Sequence, residues 1–526
     1  MEAEKSNEKR RRSLSTISVM LCTMLSRILG FVKIVLIGAV FGGSGKADVL
    51  NAVFNIPNNL RKLMAEGALS SSFIPVLAGS LANKEPHSVT RKIVRNIMAF
   101  QVVVLVPVCV LSIIFSDFLV NKVLLDFADP QLQELAVSLF RWFISYILLI
   151  SISAVLLAVL NVNNYFTIPA LTPILFSIAV IISILCLHKS MGVYSMAVGV
   201  LAGGVLQILF QCPLFKKLGY DFKLSFDFKN EKFRRIMVNW FPVLATSCIF
   251  AINQQIAMRF ASGLETGSSS AISYALVFWQ LPFGIFSASI TTVLFPQMSK
   301  EGATGQLSQL TDTLTTGIVS LMGLLIPSSV IMYFLGYDII SIGMQRGSFT
   351  VENTAMAGFV LQGYAWGLLG TGAFNFIQRY YYSLNNYKKP FFFAVLCATM
   401  DVLLSLWLKE TPLRVAGLAW ANTISFTLGT CFMLADIKLH SKNLSLIGIG
   451  RELGRILIGV AVGMIPILIY LHFCSSWWHN GATLGYLGAF LAVCGIFAVM
   501  VLAMFKVLGL NALFMLWFRR RGKASE

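Results

Sequence analysis

The sequence is poor in charge: only 12% of its 526 residues are Asp, Glu, Lys or Arg, whereas 57% are hydrophobic. A soluble domain has roughly 25% charged residues, so a soluble chain of this composition could not cover its own surface. The mean hydropathy of +0.77 therefore indicates a protein whose solvent is lipid. Strands of transmembrane barrels alternate apolar and polar residues, and the continuous apolar runs of this chain argue against that architecture.

The sequence also lacks the tight motifs of soluble enzymes and metal proteins. Its nine cysteines include no Cys-x-x-Cys pair, and no Cys and His group has the spacing of zinc ligands. No P-loop, H-E-x-x-H or G-x-S-x-G context occurs. Because the cysteines lie in or beside apolar runs, we interpret them as packing residues and expect no firm metal site and no cofactor.

Fourteen apolar runs are long enough to cross a bilayer core of about 30 Å, which needs about 20 helical residues. The loops between these runs are short, so the sequence predicts no appended soluble domain. The predicted fold is an all-α polytopic membrane protein of about fourteen transmembrane helices. The predicted spans are 14–41, 48–80, 96–117, 133–160, 166–187, 191–214, 236–260, 268–298, 311–335, 354–384, 390–408, 413–436, 454–473 and 483–508.

The distribution of Lys and Arg predicts the orientation of these spans. Of the 41 basic residues, 28 lie in segments on one side of the membrane, 6 on the other side and 7 within spans. Cytoplasmic loops carry the excess of Lys and Arg, so both termini are predicted to be cytoplasmic. The net charge of +18 follows from this topology, and nucleic acid is not an expected partner.

An internal repeat divides the predicted spans into two halves. Asn164 and Pro169 recur as Asn386 and Pro390, offset by 222 and 221 residues. A shared offset predicts two six-span lobes in parallel orientation, a plan in which transporter substrates bind between the halves. The predicted domains are 1–217 (spans 1–6), 218–440 (spans 7–12) and 441–526 (spans 13 and 14 with a basic tail). Two further echoes share the offset: Phe73-Ile74-Pro75 with Leu294-Phe295-Pro296, and Val193, Ala197 and Gly199 with Val415, Ala419 and Ala421.

Four cations lie inside the first two spans. Arg27 and Lys33 belong to the first span, and Arg61 and Lys62 belong to the second. A charged residue at the centre of a helix costs about 2.5–3.5 kcal/mol in lipid, so such residues usually face a bundle interior or a water-filled cavity. A cationic cavity binds an anion, and the planar fork of Arg suits phosphate.

Two interpretations of Lys33 and Lys62 stay open, because both are long and flexible and could snorkel or pair locally. Glu66 lies one helical turn after Lys62, and Asp48 at the other end of the second span is a further acidic partner.

The other polar residues of the apolar runs give weaker signals. Asn58 and Asn59 precede Arg61 in the second span. Arg259 and Arg379 lie near the ends of the seventh and tenth spans. Asp401 lies well inside the eleventh span, where it is either a buried hydrogen-bonded residue or a cation or proton site.

The stretch from Ser26 to Ala78 resembles the opening of the MurJ/MviN family, the lipid II flippases of the MOP transporter superfamily. Arg346 to Thr350 and Arg379 to Pro390 also resemble stretches of that family, and the likeness extends over essentially the whole chain. The matching residues of the opening are Ser26-Arg27-Ile28-Leu29-Gly30-Phe31, Phe41-Gly42, Ala47-Asp48, Ile56-Pro57-Asn58-Asn59-Leu60-Arg61-Lys62, Ala65-Glu66-Gly67-Ala68 and Phe73-Ile74-Pro75-Val76-Leu77.

The resemblance implies translocation of the undecaprenyl diphosphate-linked peptidoglycan precursor from the inner to the outer leaflet of the cytoplasmic membrane, by alternating access and without bond chemistry. It implies a central cavity lined by the residues that match Arg27, Lys33, Arg61, Asp48 and Glu66. The implied partners are lipid II, membrane lipids and other cell-wall synthesis proteins. The energy source stays open between the membrane potential and a coupling Na⁺ or H⁺, for which Asp401 is the candidate site.

The chain departs from the family pattern in the eighth span. Val277 stands where the family commonly has an Arg that faces the cavity, and Gln280 stands where an acid is common. Arg259 is the nearest replacement cation. Two alternative functions are an exporter of another cargo, such as a drug or polysaccharide-unit lipid, and a lipid-linked glycosyltransferase. The short external loops, without paired acids, disfavour the enzyme.

Overall fold

A computed structural model describes residues 2–61, 68–441, 444–481 and 483–510. Within these ranges the regular secondary structure is helical throughout. The chain divides into two compact units, of which the first ends at Gly263 and the second begins at Leu264.

Helices of the first unit pack side by side through short loops. Helices α8 and α9 form a close hairpin, α1 packs against α8, and α10 packs against α2, α3 and α4. Buried Phe73, Leu156, Phe215 and Ile236 belong to one apolar core in this unit. The helices are α1 (Glu2–Phe41), α2 (Gly45–Arg61), α3 (Ala68–Ala82), α4 (His87–Ile114), α5 (Ser116–Phe118), α6 (Pro130–Ile144), α7 (Tyr146–Val162), α8 (Thr167–Met191), α9 (Tyr194–Lys217) and α10 (Glu231–Ser262), with a π-helical turn at Leu119–Leu124.

The second unit has a comparable arrangement and two further long helices, α19 and α21. Helix α18 packs against α15, α16 and α17, α11 packs against α15, and α19 packs against α13 and α21. The helices are α11 (Ser268–Pro282), α12 (Ala288–Ala303), α13 (Leu307–Phe334), α14 (Gly336–Met344), α15 (Val351–Ala365), α16 (Gly367–Ser383), α17 (Lys388–Leu408), α18 (Arg414–His440), α19 (Leu446–Gly463), α20 (Ile465–Cys474) and α21 (Leu484–Val507), with a π-helical turn at Phe283–Ser287 and a 3₁₀ turn at Trp477–Asn480.

The sequence repeat is visible in the backbone turns of the two units. Lys84 and Asn164 have left-handed conformations, with φ of 52° and 65°, and Gly305 and Asn385, each 221 residues later, have φ of 71° and 55°. Each of these residues ends a helix in the same hydrogen-bonded turn, in which an amide bonds to the carbonyl five residues earlier. The four bonds run from the amides of Glu85, Tyr165, Gln306 and Asn386 to the carbonyls of Ser80, Leu160, Glu301 and Tyr381.

Eleven helical stretches within the described ranges are long and apolar enough to cross a membrane. Three predicted spans are not among them: 48–80, which contains the undescribed residues 62–67, 236–260 in α10, and 354–384, which is divided between α15 and α16. The many apolar helices confirm the all-α membrane fold, and the count of fourteen stays a prediction.

The boundary between the compact units differs from the boundary at 217 that the repeat predicts. Helix α10 is grouped with the first unit because it packs against α2, α3 and α4. The compact units show which helices pack together, whereas the repeat shows which segments share a sequence pattern. The repeat-based domains at 1–217, 218–440 and 441–526 therefore stay predictions.

Candidate functional site

Two cations of the first unit lie close together inside its bundle. Lys33 on α1 is partly buried, and its Nζ lies 5.1 Å from the ring centroid of Phe176 on α8 and 6.0 Å from that of Phe54 on α2. Aromatic faces attract a cation, most strongly where water is excluded. Arg61 is close enough to Lys33 for the two positive charges to repel each other. This concentration of positive charge favours an anionic ligand.

Arg61 is the last described residue of α2 and is oriented by a neighbouring amide. Its Nε and Nη2 donate to Oδ1 of Asn58, at 3.2 and 3.1 Å. Pro57 precedes this pair and has no amide hydrogen to continue the helical hydrogen bonds. Asn58 therefore positions one edge of the guanidinium group, one turn after a residue that cannot donate a helical hydrogen bond.

Two buried asparagines lie one helical turn apart on α2. Asn55 and Asn59 have exposed fractions of 9% and 4%. In the part of the chain that the structure describes, neither Nδ2 nor the Oδ1 of Asn59 has a hydrogen-bond partner. A buried polar group without a partner costs about 1–3 kcal/mol, so these amides favour a bound polar group.

Two further predicted residues, Arg27 and Asp48, have surroundings that differ from those of this pair. Arg27 is exposed on α1. Asp48 is buried in the first turn of α2, about 20 Å along the helix axis from Arg61 at 1.5 Å per residue. Lys62 and Glu66 lie outside the described residues. The structure thus groups Lys33 with Arg61, and it places Asp48 at the opposite end of the helix.

Arg259 has a structural contact that the sequence did not indicate. Its Nη1 donates to the carbonyl of Val123 at 2.8 Å, and Nε2 of Gln255 donates to the carbonyl of Leu124 at 3.0 Å. These carbonyls belong to the last residues of the π-helical turn and lack helical partners. Arg259 therefore caps that turn, and a role for it in binding cargo stays a prediction.

In the second unit, one cation lies against aromatic rings. The guanidinium carbon of Arg379 on α16 lies 5.4 Å from the ring centroid of Phe295 and 5.6 Å from that of Tyr382. Gln280 is exposed near the end of α11, and Val277 on the same helix is partly buried. No described contact brings Gln280 or Val277 together with Arg379.

Asp401 is a buried hydrogen-bonded carboxyl group on α17. Its exposed fraction is 3%. Nδ2 of Asn422 donates to Oδ2 at 2.8 Å, and Oγ of Ser405 lies 3.4 Å from Oδ1. The structure shows the hydrogen-bonded alternative for Asp401, and its role as a cation site stays untested. Within the described ranges, no group of three or more His, Cys, Asp or Glu side chains could hold a metal ion.

Comparison with known proteins identifies the family. The family model described as "Lipid II flippase MurJ" matches residues 37–488, which is most of the chain. The chain belongs to the MurJ family. A relative from Borreliella burgdorferi, described as a probable lipid II flippase MurJ, is 34% identical over 95% of this chain and 97% of its own length.

Solved structures show that the fold is that of MurJ and of related transporters. A MurJ structure in an inward closed conformation matches with a TM-score of 0.76 and 24% identity, covering 94% of this chain and 99% of that one. An inward-facing multidrug resistance MATE transporter of the MOP superfamily matches with a TM-score of 0.65 and 14% identity, covering 80% and 98%. At these identities the likeness concerns the fold alone.

The sequence did not indicate which groups surround the cations of this MurJ-family chain. Phe54 and Phe176 resemble the other aromatic residues of apolar helices, so nothing marks them as partners of Lys33. Asn55 did carry a signal, because it lies four residues before Asn59 in an apolar helix and shares its face.

Proposed function

We propose that this chain translocates the undecaprenyl diphosphate-linked peptidoglycan precursor, lipid II, from the inner to the outer leaflet. One observation carries the proposal: Lys33 and Arg61 are grouped inside the first unit of a MurJ-family chain, and the helix that carries Arg61 also holds buried amides that have no described partner. The names of the relatives refer to the same cargo.

The chemistry of the grouped residues suits a diphosphate-sugar headgroup. Arg61 offers a planar fork to phosphate oxygens, and Lys33 offers a compact charge. Asn55 and Asn59 supply amide donors and acceptors, which suit sugar hydroxyls. In the proposed mechanism the two lobes expose this site alternately to each side, and the lipid tail stays in the bilayer. No bond is made or broken, so the proposed activity is transport and not catalysis.

The proposed location is the cytoplasmic (inner) membrane, with both termini in the cytoplasm. The excess of basic residues on one side, 28 against 6, supports this orientation. The leaflet in which lipid-linked precursors are made then faces the same side as the termini. Other cell-wall synthesis proteins are the proposed partners, since they supply the cargo and consume it.

The membrane potential is the proposed energy source, and a cation at Asp401 is the alternative. One charge crossing 100 mV is worth about 2.3 kcal/mol, so an interior-negative potential would draw a cationic empty site inward. Loss of transport when an ionophore collapses the potential would support the first source. Loss in Asp401→Asn with the potential intact would support the second.

The test of the function is complementation of a cell depleted of its own lipid II flippase. Outer-leaflet precursor is measured with an added membrane-impermeant hydrolase that cleaves the diphosphate linkage. We expect the chain to restore cleavable precursor and to prevent lysis. If the chain is present in the membrane and the precursor stays in the inner leaflet, the proposal that lipid II is the cargo is wrong. Export of a drug or another polyprenyl-linked sugar is then tested with the same cells.

A further inference from the structure

The segment that connects α9 to α10 has two opposite faces. Residues 220–227 are not helical, and their two acidic residues, Asp221 and Asp227, pair with α4 while the apolar residues between them are exposed. Phe222, Leu224 and Phe226 have exposed fractions of 37%, 40% and 60%, although they are large and apolar. Three large apolar side chains exposed within five residues of one loop are unusual and indicate a surface that contacts something other than water.

The other face of this segment is fixed to α4 by charged groups. Arg95 makes a bidentate ion pair with Asp221. Its Nε lies 2.7 Å from Oδ1, and its Nη2 contacts Oδ2. Lys92 pairs with Asp227 at 2.6 Å, and Nδ2 of Asn96 donates to the carbonyl of Asp227 at 2.9 Å. The contact with Arg95 lowers the pKa of Asp221 from its ordinary 3.8 to about 2, so the pair is fully charged at neutral pH.

The attachment to α4 sets the height of the segment along the bundle. After Asn96, α4 has no charged residue up to Ile114. These 18 residues span about 27 Å, close to the thickness of a bilayer core. Arg95 therefore marks the boundary of the apolar layer. Phe228, which follows the segment, packs inward against Phe100 just inside that boundary, with ring centroids 6.5 Å apart.

Basic side chains surround the apolar face. Lys223 lies within the segment, and exposed Lys216, Lys217, Lys229 and Arg234 flank it. Basic residues at this level are attracted to anionic lipid headgroups, and aromatic rings favour the headgroup layer. A membrane surface thus satisfies both properties of the exposed face, its apolar side chains and its charge.

We propose that residues 222–226 form a membrane anchor that inserts Phe222, Leu224 and Phe226 into the interface of an anionic leaflet. Arg95 and Lys92 hold the anchor at the correct height. With the predicted topology, this leaflet is the cytoplasmic one. The anchor would fix the connection between the two six-span halves to the lipid surface, and the inference does not depend on which cargo the chain carries.

The test places a fluorescent non-natural amino acid at position 226 of the full chain in vesicles. Lys229 provides the matched aqueous control position, and Ile182, exposed on α8, provides the lipid control position. In vesicles of phosphatidylethanolamine and phosphatidylglycerol, nitroxide on the upper acyl chain should quench position 226 several-fold more than position 229. Quenching equal to that at 229, with ready access of aqueous iodide, would overturn the anchor and leave the face to a protein partner.

Two further experiments test the anionic lipid and the charged residues that hold the anchor. Quenching at 226 should fall in vesicles of phosphatidylcholine alone, and equal quenching would overturn the anionic part of the proposal. Arg95→Gln together with Lys92→Gln should reduce quenching at 226 while leaving position 182 unchanged. If position 182 also changes, the double variant has misfolded, and Lys92→Gln alone is used. Unchanged quenching at 226 in a folded variant would overturn the positioning role of these residues.

Discussion

Asp338 joins the short helix α14 to α20 and α21, the last two described α-helices of the second unit. Its Oδ1 accepts hydrogen bonds from the hydroxyl groups of Tyr470 on α20, at 3.0 Å, and of Tyr486 on α21, at 2.7 Å. The carboxyl group has an exposed fraction of only 3%, and this burial raises its pKa above the ordinary value of 3.8. A single acid on α14 thus contacts both α20 and α21.

Replacing Asp338 should reveal this connection as a change in stability. Asp338→Ala leaves two buried hydroxyl groups without their acceptor and should lower the free energy of unfolding by about 1–3 kcal/mol. Asp338→Asn keeps an acceptor oxygen and should cost less. Thermal unfolding of the purified chain in detergent measures both, and an Ala variant as stable as the parent would contradict the connection.

The same residue has a predicted pH dependence. Because the folded chain holds the Asp338 proton more tightly than the unfolded chain, stability should fall as the pH rises from 3.8 through the raised pKa. The Asn variant should lose this part of the slope, and identical slopes in the two proteins would refute the assignment.

The sequence alone could identify the cations but not their surroundings. Lys33 and Arg61 were visible because charge in an apolar run is expensive, whatever the fold. Snorkelling and local pairing of Lys33 stay open, and the structure adds that its ammonium group lies near the rings of Phe54 and Phe176. Those rings lie on two other helices, so only tertiary packing could reveal them. The same holds for Arg259, whose carbonyl partner belongs to an irregular turn.

At the scale of elements, helices α12 and α16 approach each other at a glycine. A Cβ atom on Gly302 would lie 2.3 Å from the carbonyl oxygen of Ser383, which is backbone and cannot turn aside. Gly302 lies in the turn that ends α12, and the matching position of the first unit, 221 residues earlier, is Leu81. This glycine is thus not repeated in the first unit.

Gly302→Ala should therefore force α12 and α16 apart and lower the free energy of unfolding by about 1–3 kcal/mol, as overpacking does. Gly454→Ala on α19 is the matched control, because a Cβ atom there meets nothing within 4 Å. The control should be neutral or slightly stabilising, since Ala favours helix more than Gly. Equal unfolding midpoints for the two variants would contradict the close packing.

Hydropathy located the apolar segments of the chain but did not show where a segment is interrupted and divided into two helices. The predicted span 268–298 is α11 and α12 joined by a π-helical turn, and the predicted span 354–384 is broken at Trp366 between α15 and α16. Such breaks depend on single hydrogen bonds within a helix, which leave the mean hydropathy unchanged. The repeat-based domains stay predictions, although turns with left-handed residues do place Lys84, Asn164, Gly305 and Asn385 at a shared offset.

At the scale of the whole molecule, the two units differ in their buried charge. Lys33 and Arg61 belong to the first unit, whereas Val277 of the second unit, where the family resemblance implied a cation, is uncharged. Arg379 in that unit is already engaged with two aromatic rings. The cations of the proposed anion site therefore belong to the first unit, and most of the electrostatic attraction should come from α1 and α2.

The most direct test of this account is transport of lipid II by the reconstituted chain after removal of the Arg61 charge. A hydrogen bond to a charged group is worth about 1.5–3 kcal/mol, so Arg61→Ala should slow transport by about 10- to 100-fold. Arg61→Lys should retain part of the rate, and Lys189→Ala, which removes an exposed charge at the end of α8, should retain all of it. Transport by Arg61→Ala at the rate of the unmodified chain would contradict the cationic site.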